Sequence, residues 1–209
     1  MKISKVKTLS YIIGLLIAIQ LLLLGIKHVA FVFIERTDYT DHIATMIGMI
    51  ILSVVFVLFT KKQKVSLSVF PEHFNKFYIA GTCLAAVLLV ATPSNYSGGF
   101  QAIILLIYGS IVTPIFEELI FRGYVWNKLN AVFEKERLTY IISTVLFAFW
   151  HLGYIDSLAF RTETGLANVM LWKAITGLCY GIVLGVVRLK TKNSYSTMLL
   201  HGVMNVFGR

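Results

Sequence analysis

The chain has 209 residues, 57% of them hydrophobic and only 14% charged, with a mean hydropathy of +0.79. A soluble domain carries about a quarter of its residues as charges, so this composition excludes one, and it also excludes intrinsic disorder. The only two cysteines, Cys83 and Cys179, lie inside apolar runs and exclude a disulfide-stapled module, while the net charge of +9 does not signal nucleic acid because the basic residues sit between those runs.

In chain order the apolar runs cover about Leu9 to Leu24, Ile43 to Phe59, Phe77 to Ala91, Gln101 to Phe121, Leu138 to Leu152, Ala167 to Val187 and Tyr195 to Phe207. A membrane span needs about 20 apolar residues, with about 17 a practical minimum, so several runs must recruit flanking residues. The first follows Lys2, Lys5 and Lys7 in the manner of a signal peptide. Its apolar core is long and no A-x-A-like site follows Leu24, which predicts an uncleaved first helix. No run alternates with period two, and an open sheet edge cannot face lipid. The expectation is an all-α, multi-pass transmembrane bundle of about seven spans in a cell membrane, one domain over residues 1–209.

Basic loops stay in the cytoplasm, so Lys and Arg orient the bundle. Lys2, Lys5 and Lys7 precede the first run; Glu35, Asp38 and Asp41 against Arg36 follow it; Lys61, Lys62, Lys64 and Lys76 against Glu72 come next. After a neutral loop around Pro93 to Gly99 come Arg122, Lys128, Lys135 and Arg137, then Asp156 and Glu163 with Arg161, then Arg188, Lys190 and Lys192. The alternation predicts a cytoplasmic N-terminus. The last run, from Tyr195 to Arg209, rises only about 22 Å against a hydrocarbon core of about 30 Å and is expected to end inside the bundle.

Ionisable residues inside a membrane mark function by default. In Thr113 to Gly123, TPIFEELIFRG, Glu118 and Arg122 are four apart and share a helix face, leaving Glu117 to point elsewhere. Pro114 removes a helical hydrogen bond and frees a carbonyl beside the pair. In the fifth run Phe147 and His151 share a face with Trp150 beside them; in the last, His201 and Asn205 are again four apart. Alone, each has a bland reading, as an interfacial salt bridge, a core histidine or interhelical packing. At 1.5 Å per residue, Glu117 lies about 16 Å from Lys128, His151 about 20 Å from Leu138, and His201 and Asn205 about 10 to 16 Å from Ser194. The shared depth predicts one cavity opening toward the cytoplasm.

The ordered set EExxxR (Glu117 to Arg122), FxxxH (Phe147 to His151) and HxxxN (His201 to Asn205), over about Ile103 to Phe207, resembles the CPBP family. These are the Abi, or CAAX-protease-and-bacteriocin-processing, intramembrane proteases. The resemblance places the protease-like core at about residues 101–207. It implies that Glu117 and His151 activate a water, that His201 and Asn205 face the developing oxyanion, and that Glu118 and Arg122 support them. It implies a peptide or membrane-associated protein substrate cut near the cytoplasmic face, in peptide or bacteriocin maturation, CAAX-type processing or self-immunity. Seven spans and a C-terminus just after Asn205 look bacterial rather than eukaryotic.

No cofactor is favoured. Zinc is the alternative, with Glu117, His151 and His201 as ligands, but no H-E-x-x-H occurs and a metal-free glutamate mechanism uses the same residues. Serine and aspartyl mechanisms are set aside because there is no G-x-S-x-G and Asp38, Asp41 and Asp156 read as external-loop residues. Gly177, Gly181 and Gly185 read as a packing face, with homodimer contact the lesser reading; Lys173 reads as snorkelling and Asn95-Tyr96-Ser97 as a chance sequon. The rival functions are a non-catalytic immunity or scaffold protein and a small transporter, for which no internal repeat is seen.

Overall fold

A computed structural model describes residues 5–92 and 96–207; Lys2, Asn95 of the sequon and the start of the loop at Pro93 lie outside the described residues. The chain forms α1 (Lys5–Phe33), α2 (Asp38–Lys62), α3 (Lys76–Val90), α4 (Gly99–Phe133), α5 (Glu136–Arg161), α6 (Leu166–Thr191) and α7 (Tyr195–Phe207). Among the described residues there is no strand. Each expected apolar run becomes a helix, but only α1, α2, α4, α5 and α6 are long and apolar enough to cross a membrane. The chain is thus a multi-pass membrane protein, in which α3 has 15 residues and α7 has 13.

The core forms where α1 and α2 lay their apolar stripes on α4 and α5. Ile12, Leu16, Ile19 and Leu23 recur on one face of α1 and meet Met49, Leu52 and Phe56 of α2, then Phe116 and Phe121 of α4 and Phe147 of α5. Small residues allow the close approaches. A Cβ on Gly48 would lie 2.7 Å from Leu23, and one on Gly177 would lie 2.6 Å from the His151 ring. Gly181 and Gly185 continue that face against Thr144 and Tyr140, so the glycine stripe of α6 is taken up by α5 of the same chain.

Two interruptions set the course of α4. Residues Tyr108–Val112 and Leu119–Val125 are π-helical and flank the turn that carries the carboxylates. In the first, the Thr113 N–H donates to Tyr108 O, five residues back. The same register would pair Gly109 O with Pro114, which has no N–H. The freed carbonyl accepts instead from Asn205 Nδ2 at 2.7 Å, so the expected consequence of Pro114 is realised as a tether to α7. At the second interruption Arg188 Nε of α6 donates to Arg122 O at 2.9 Å.

The two ends of the bundle differ. At one, the segment after α2 folds across the helix ends: Ser194 N–H donates to Ser68 O, Tyr195 N–H to Val69 O, and Asn127 Nδ2 to Ser66 O. Lys192 pairs there with Glu136. At the other end Lys27, Arg36, Asp41, Asp156 and Arg161 form one ion-pair network joining α1, α2 and α5. The aspartates are therefore helical rather than in external loops as expected, and Asp41 is completely buried. Its carboxylate is cut off from water, and three cations compensate: Lys27 and Arg36 on Oδ1, Arg161 on Oδ2. The guanidinium of Arg36, in the turn between α1 and α2, loses hydration, which favours its neutral form; the hydrogen bonds to Asp156 and Asp41 outweigh this and raise its pKa.

Candidate active site

Glu117 lies on the turn of α4 between the two π segments and is 1% exposed. Its Oε1 is held from α5: the Tyr154 hydroxyl donates at 2.6 Å, and Trp150 Nε1 lies 3.2 Å away, close enough to donate as well. Its Oε2 is buried with no hydrogen-bond partner and faces His201 Nε2 at 3.8 Å. One oxygen is thus fixed and the other left bare.

The neighbouring carboxylate does a different job. Glu118 Oε1 accepts from Arg122 Nη1 at 2.9 Å and from His201 Nδ1 at 3.1 Å, so the pair expected from the i,i+4 spacing also orients the histidine. Arg122 lies over the Phe147 ring at 4.2 Å. Because a carboxylate can only accept, the His201 proton sits on Nδ1, and neutral His201 turns a lone pair toward Glu117. His151 repeats the arrangement, with Nδ1 donating to Phe147 O at 2.8 Å. The oxyanion role that the resemblance implies for His201 therefore requires its protonated form. Asn205 spends one amide N–H on Gly109 O and keeps the other.

Glu117, His151, His201 and Asn205 line one cavity of about 530 Å³. Of the two histidines, His201 comes nearer to Glu117, although His151 was the expected partner; only His201 lies within 4.0 Å. Among the described residues no three His, Cys, Asp or Glu side chains converge enough to hold a metal ion, so the separations do not fit the zinc alternative as they stand.

The direction in which the cavity opens corrects the sequence reading. From Glu117 it runs past Tyr108 and Ser157 to His42, Arg161 and Lys173, at the end where α1 turns into α2. It does not run toward the Lys128 and Ser194 end, the face from which the depths were counted. Phe121, Phe147 and Leu129 are completely buried on that side, and Leu67 packs on Gly123. Lys173, read as a snorkelling residue, lines the mouth.

Three residues were missed by the sequence reading. Tyr154 follows His151 by three in the 3-10 turn His151–Tyr154, where such residues eclipse, and that spacing was its one signal. Trp150 was noted only as a neighbour. Gln20 of α1 donates to Trp150 O at 3.1 Å, supporting the backbone where α5 changes pitch, and gave no signal beyond a polar residue in an apolar run.

Residues 99–207 match the family described as type II CAAX prenyl endopeptidase Rce1-like. The chain belongs to this family. A relative from Lactococcus lactis subsp. lactis (strain IL1403), the UPF0177 protein YxdF, is 26% identical over 98 residues, 47% of this chain and 44% of the relative. The match therefore spans less than half the length of that relative. No solved structure matches the chain. The Rce1-like region begins with α4 and includes the whole carboxylate–histidine cluster, whereas α1 and α2 of the core lie outside it.

Proposed function

We propose that the protein is an intramembrane endopeptidase in which Glu117 is the general base. Family membership implies a protease, and the observation that carries the assignment is the division of Glu117 into a held oxygen and a bare one. Glu117 Oε2 takes a proton from a water, and the resulting hydroxide attacks the scissile carbonyl carbon. The new C–O bond places negative charge on the carbonyl oxygen, which the free Asn205 N–H stabilises, joined by His201 once its Nε2 has taken up a proton from solvent, since its Nδ1 proton is already donated to Glu118. Glu117 then returns its proton to the amine nitrogen as the C–N bond breaks. Glu118 and Arg122 act through His201 as positioning residues.

The substrate is a peptide or a membrane-associated protein. The cavity volume falls in the range of a site for a short segment rather than a folded domain. Peptide maturation, CAAX-type processing and protection against a bacteriocin all fit this chemistry. A comparison of membrane and secreted peptides from cells making wild type or Glu117→Gln at equal abundance tests the proposal. New peptide termini confined to wild type are expected, with a loss of about a hundred- to ten-thousandfold in cleavage rate, the range that a positioned general base contributes. Identical peptide sets, with any cellular phenotype retained by the mutant, would move the assignment to a binding or immunity protein.

A further inference from the structure

We propose that Gln20 of α1 is a positioning residue for the general base: it holds the 3-10 turn His151–Tyr154 of α5 in register, so that Trp150 and Tyr154 keep Glu117 Oε1 in place. The proposal deepens the peptidase reading and rests on it for the chemistry; the clamp itself stands on geometry. Because α1 lies outside residues 99–207, the working site extends beyond the region that matches the family.

Three observations converge on one short stretch of α5. A polar amide in an apolar membrane helix needs a partner, and Gln20 spends its Nε2 on Trp150 O at 3.1 Å. That carbonyl lies where α5 leaves α-helical pitch. The α-helical part Glu136–Trp150 ends there, the turn His151–Tyr154 follows with Ile155 N–H donating to Leu152 O three residues back, and α-helix resumes at Ile155. Second, Gly153 in that turn serves space rather than conformation. Among the described residues the glycines with positive φ are Gly99 and Gly165, whereas a Cβ on Gly153 would lie 2.4 Å from Gln20 Cδ and 2.6 Å from its Nε2. Third, Lys27 is seven residues along α1 from Gln20 and so on the same face, and it donates to Asp156 Oδ2 at 3.0 Å and to Ser157 Oγ. Helix α1 therefore grips α5 on both sides of the turn.

The grip reaches Glu117 through the side chains at the two ends of the turn. The Tyr154 hydroxyl accepts from Trp150 Nε1 at 3.1 Å and donates to Glu117 Oε1 at 2.6 Å. A 3-10 turn rotates about 120° per residue and an α-helix about 100°, so each residue that reverts to α pitch swings Tyr154 by about 20° relative to Trp150. The two side chains then no longer meet on one carboxylate oxygen. Hydrogen bonds in a 3-10 run have the poorer geometry, so the turn gains from a hold outside its own helix, and Gln20 supplies one. With Oε1 fixed in this way, the bare Oε2 stays turned toward His201.

Two substitutions test the clamp from its two sides. Gln20→Met keeps the length and unbranched shape of the side chain and removes its donor; Gly153→Ala keeps Gln20 and pushes its amide off Trp150 O. Cleavage is measured with the full chain in detergent, on the peptide found by comparing wild type with Glu117→Gln. Each change should lower kcat by about 10- to 100-fold with KM and thermal stability nearly unchanged, the cost of misplacing a reacting group by up to about 1 Å. The double variant should lose no more than either single one, because both remove the same contact. Normal kcat in Gln20→Met, losses that multiply in the double variant, or a fall in kcat matched by a fall in thermal stability overturns the positioning role. A readout without substrate separates this from the peptidase reading. The indole N–H signal of Trp150 in a nuclear magnetic resonance spectrum, assigned by its loss in Trp150→Phe, should move in Gln20→Met, Gly153→Ala and Glu117→Gln, while those of Trp126 and Trp172 stay. A moved signal with no peptide cleaved defeats the peptidase reading and leaves the clamp on Glu117 standing; an unmoved signal overturns the clamp whatever is cleaved.

Discussion

At the floor of the cavity Glu118, Arg122 and His201 form a cluster no more than 2% exposed, whereas at the mouth the outer members of a second cluster, Arg36, Asp156 and Arg161, have side chains 22%, 24% and 26% exposed. Both clusters pair acids with bases, yet they differ in what replaces a lost partner. At the floor no water can, so each charge depends on one neighbour and the geometry is fixed. At the mouth solvent and redundant cations can, so the network tolerates change. Precise orientation of His201 beside Glu117 is therefore a property of the floor, and the mouth is free to vary with the substrate it admits.

The comparison is broken most strongly at Arg122. Arg122→Gln leaves Glu118 uncompensated in the interior and is expected to cost about 3–5 kcal/mol, measured as a loss of thermal stability in detergent. The double change Glu118→Leu with Arg122→Met should recover much of that stability while cleavage stays lost, because His201 then has no acceptor for its Nδ1 proton; recovered cleavage would refute the positioning role. Next in size is Tyr154→Phe, which removes the 2.6 Å hydrogen bond to Glu117 Oε1. A hydrogen bond to a charged group contributes about 1.5–3 kcal/mol, so kcat should fall roughly 10- to 150-fold with KM nearly unchanged. A stability loss with normal kcat would reduce Tyr154 to packing. The smallest effect belongs to the mouth: Arg161→Gln leaves Asp41 with Lys27 and Arg36 and should change stability by about 1 kcal/mol or less. A loss as large as that of Arg122→Gln would erase the distinction between the two clusters.

How far the site could be read from sequence depended on whether its contacts were local. Glu118 and Arg122 pair within one turn of helix, so spacing alone showed them. Glu117, His151, His201 and Asn205 were recognisable as an ordered motif, and the structure lines one cavity with them. Their mutual partners were not readable. His201 rather than His151 approaches Glu117, and His201 binds Glu118 across 83 positions of the chain. Gln20 reaches Trp150 across 130, a distance no local pattern spans.

Hydrophobicity by itself determined the helical class, the apolar runs and the multi-pass character, because a backbone in lipid must satisfy its hydrogen bonds within each segment. The charges between the runs determined which ends lie together. Tertiary structure decided which way the cavity opens. That direction depends on two π segments that turn α4 and on the segment after α2 folding over one end. Each is a relation between elements distant in sequence, set by packing and by where freed backbone groups find partners, and no periodicity along the chain records it.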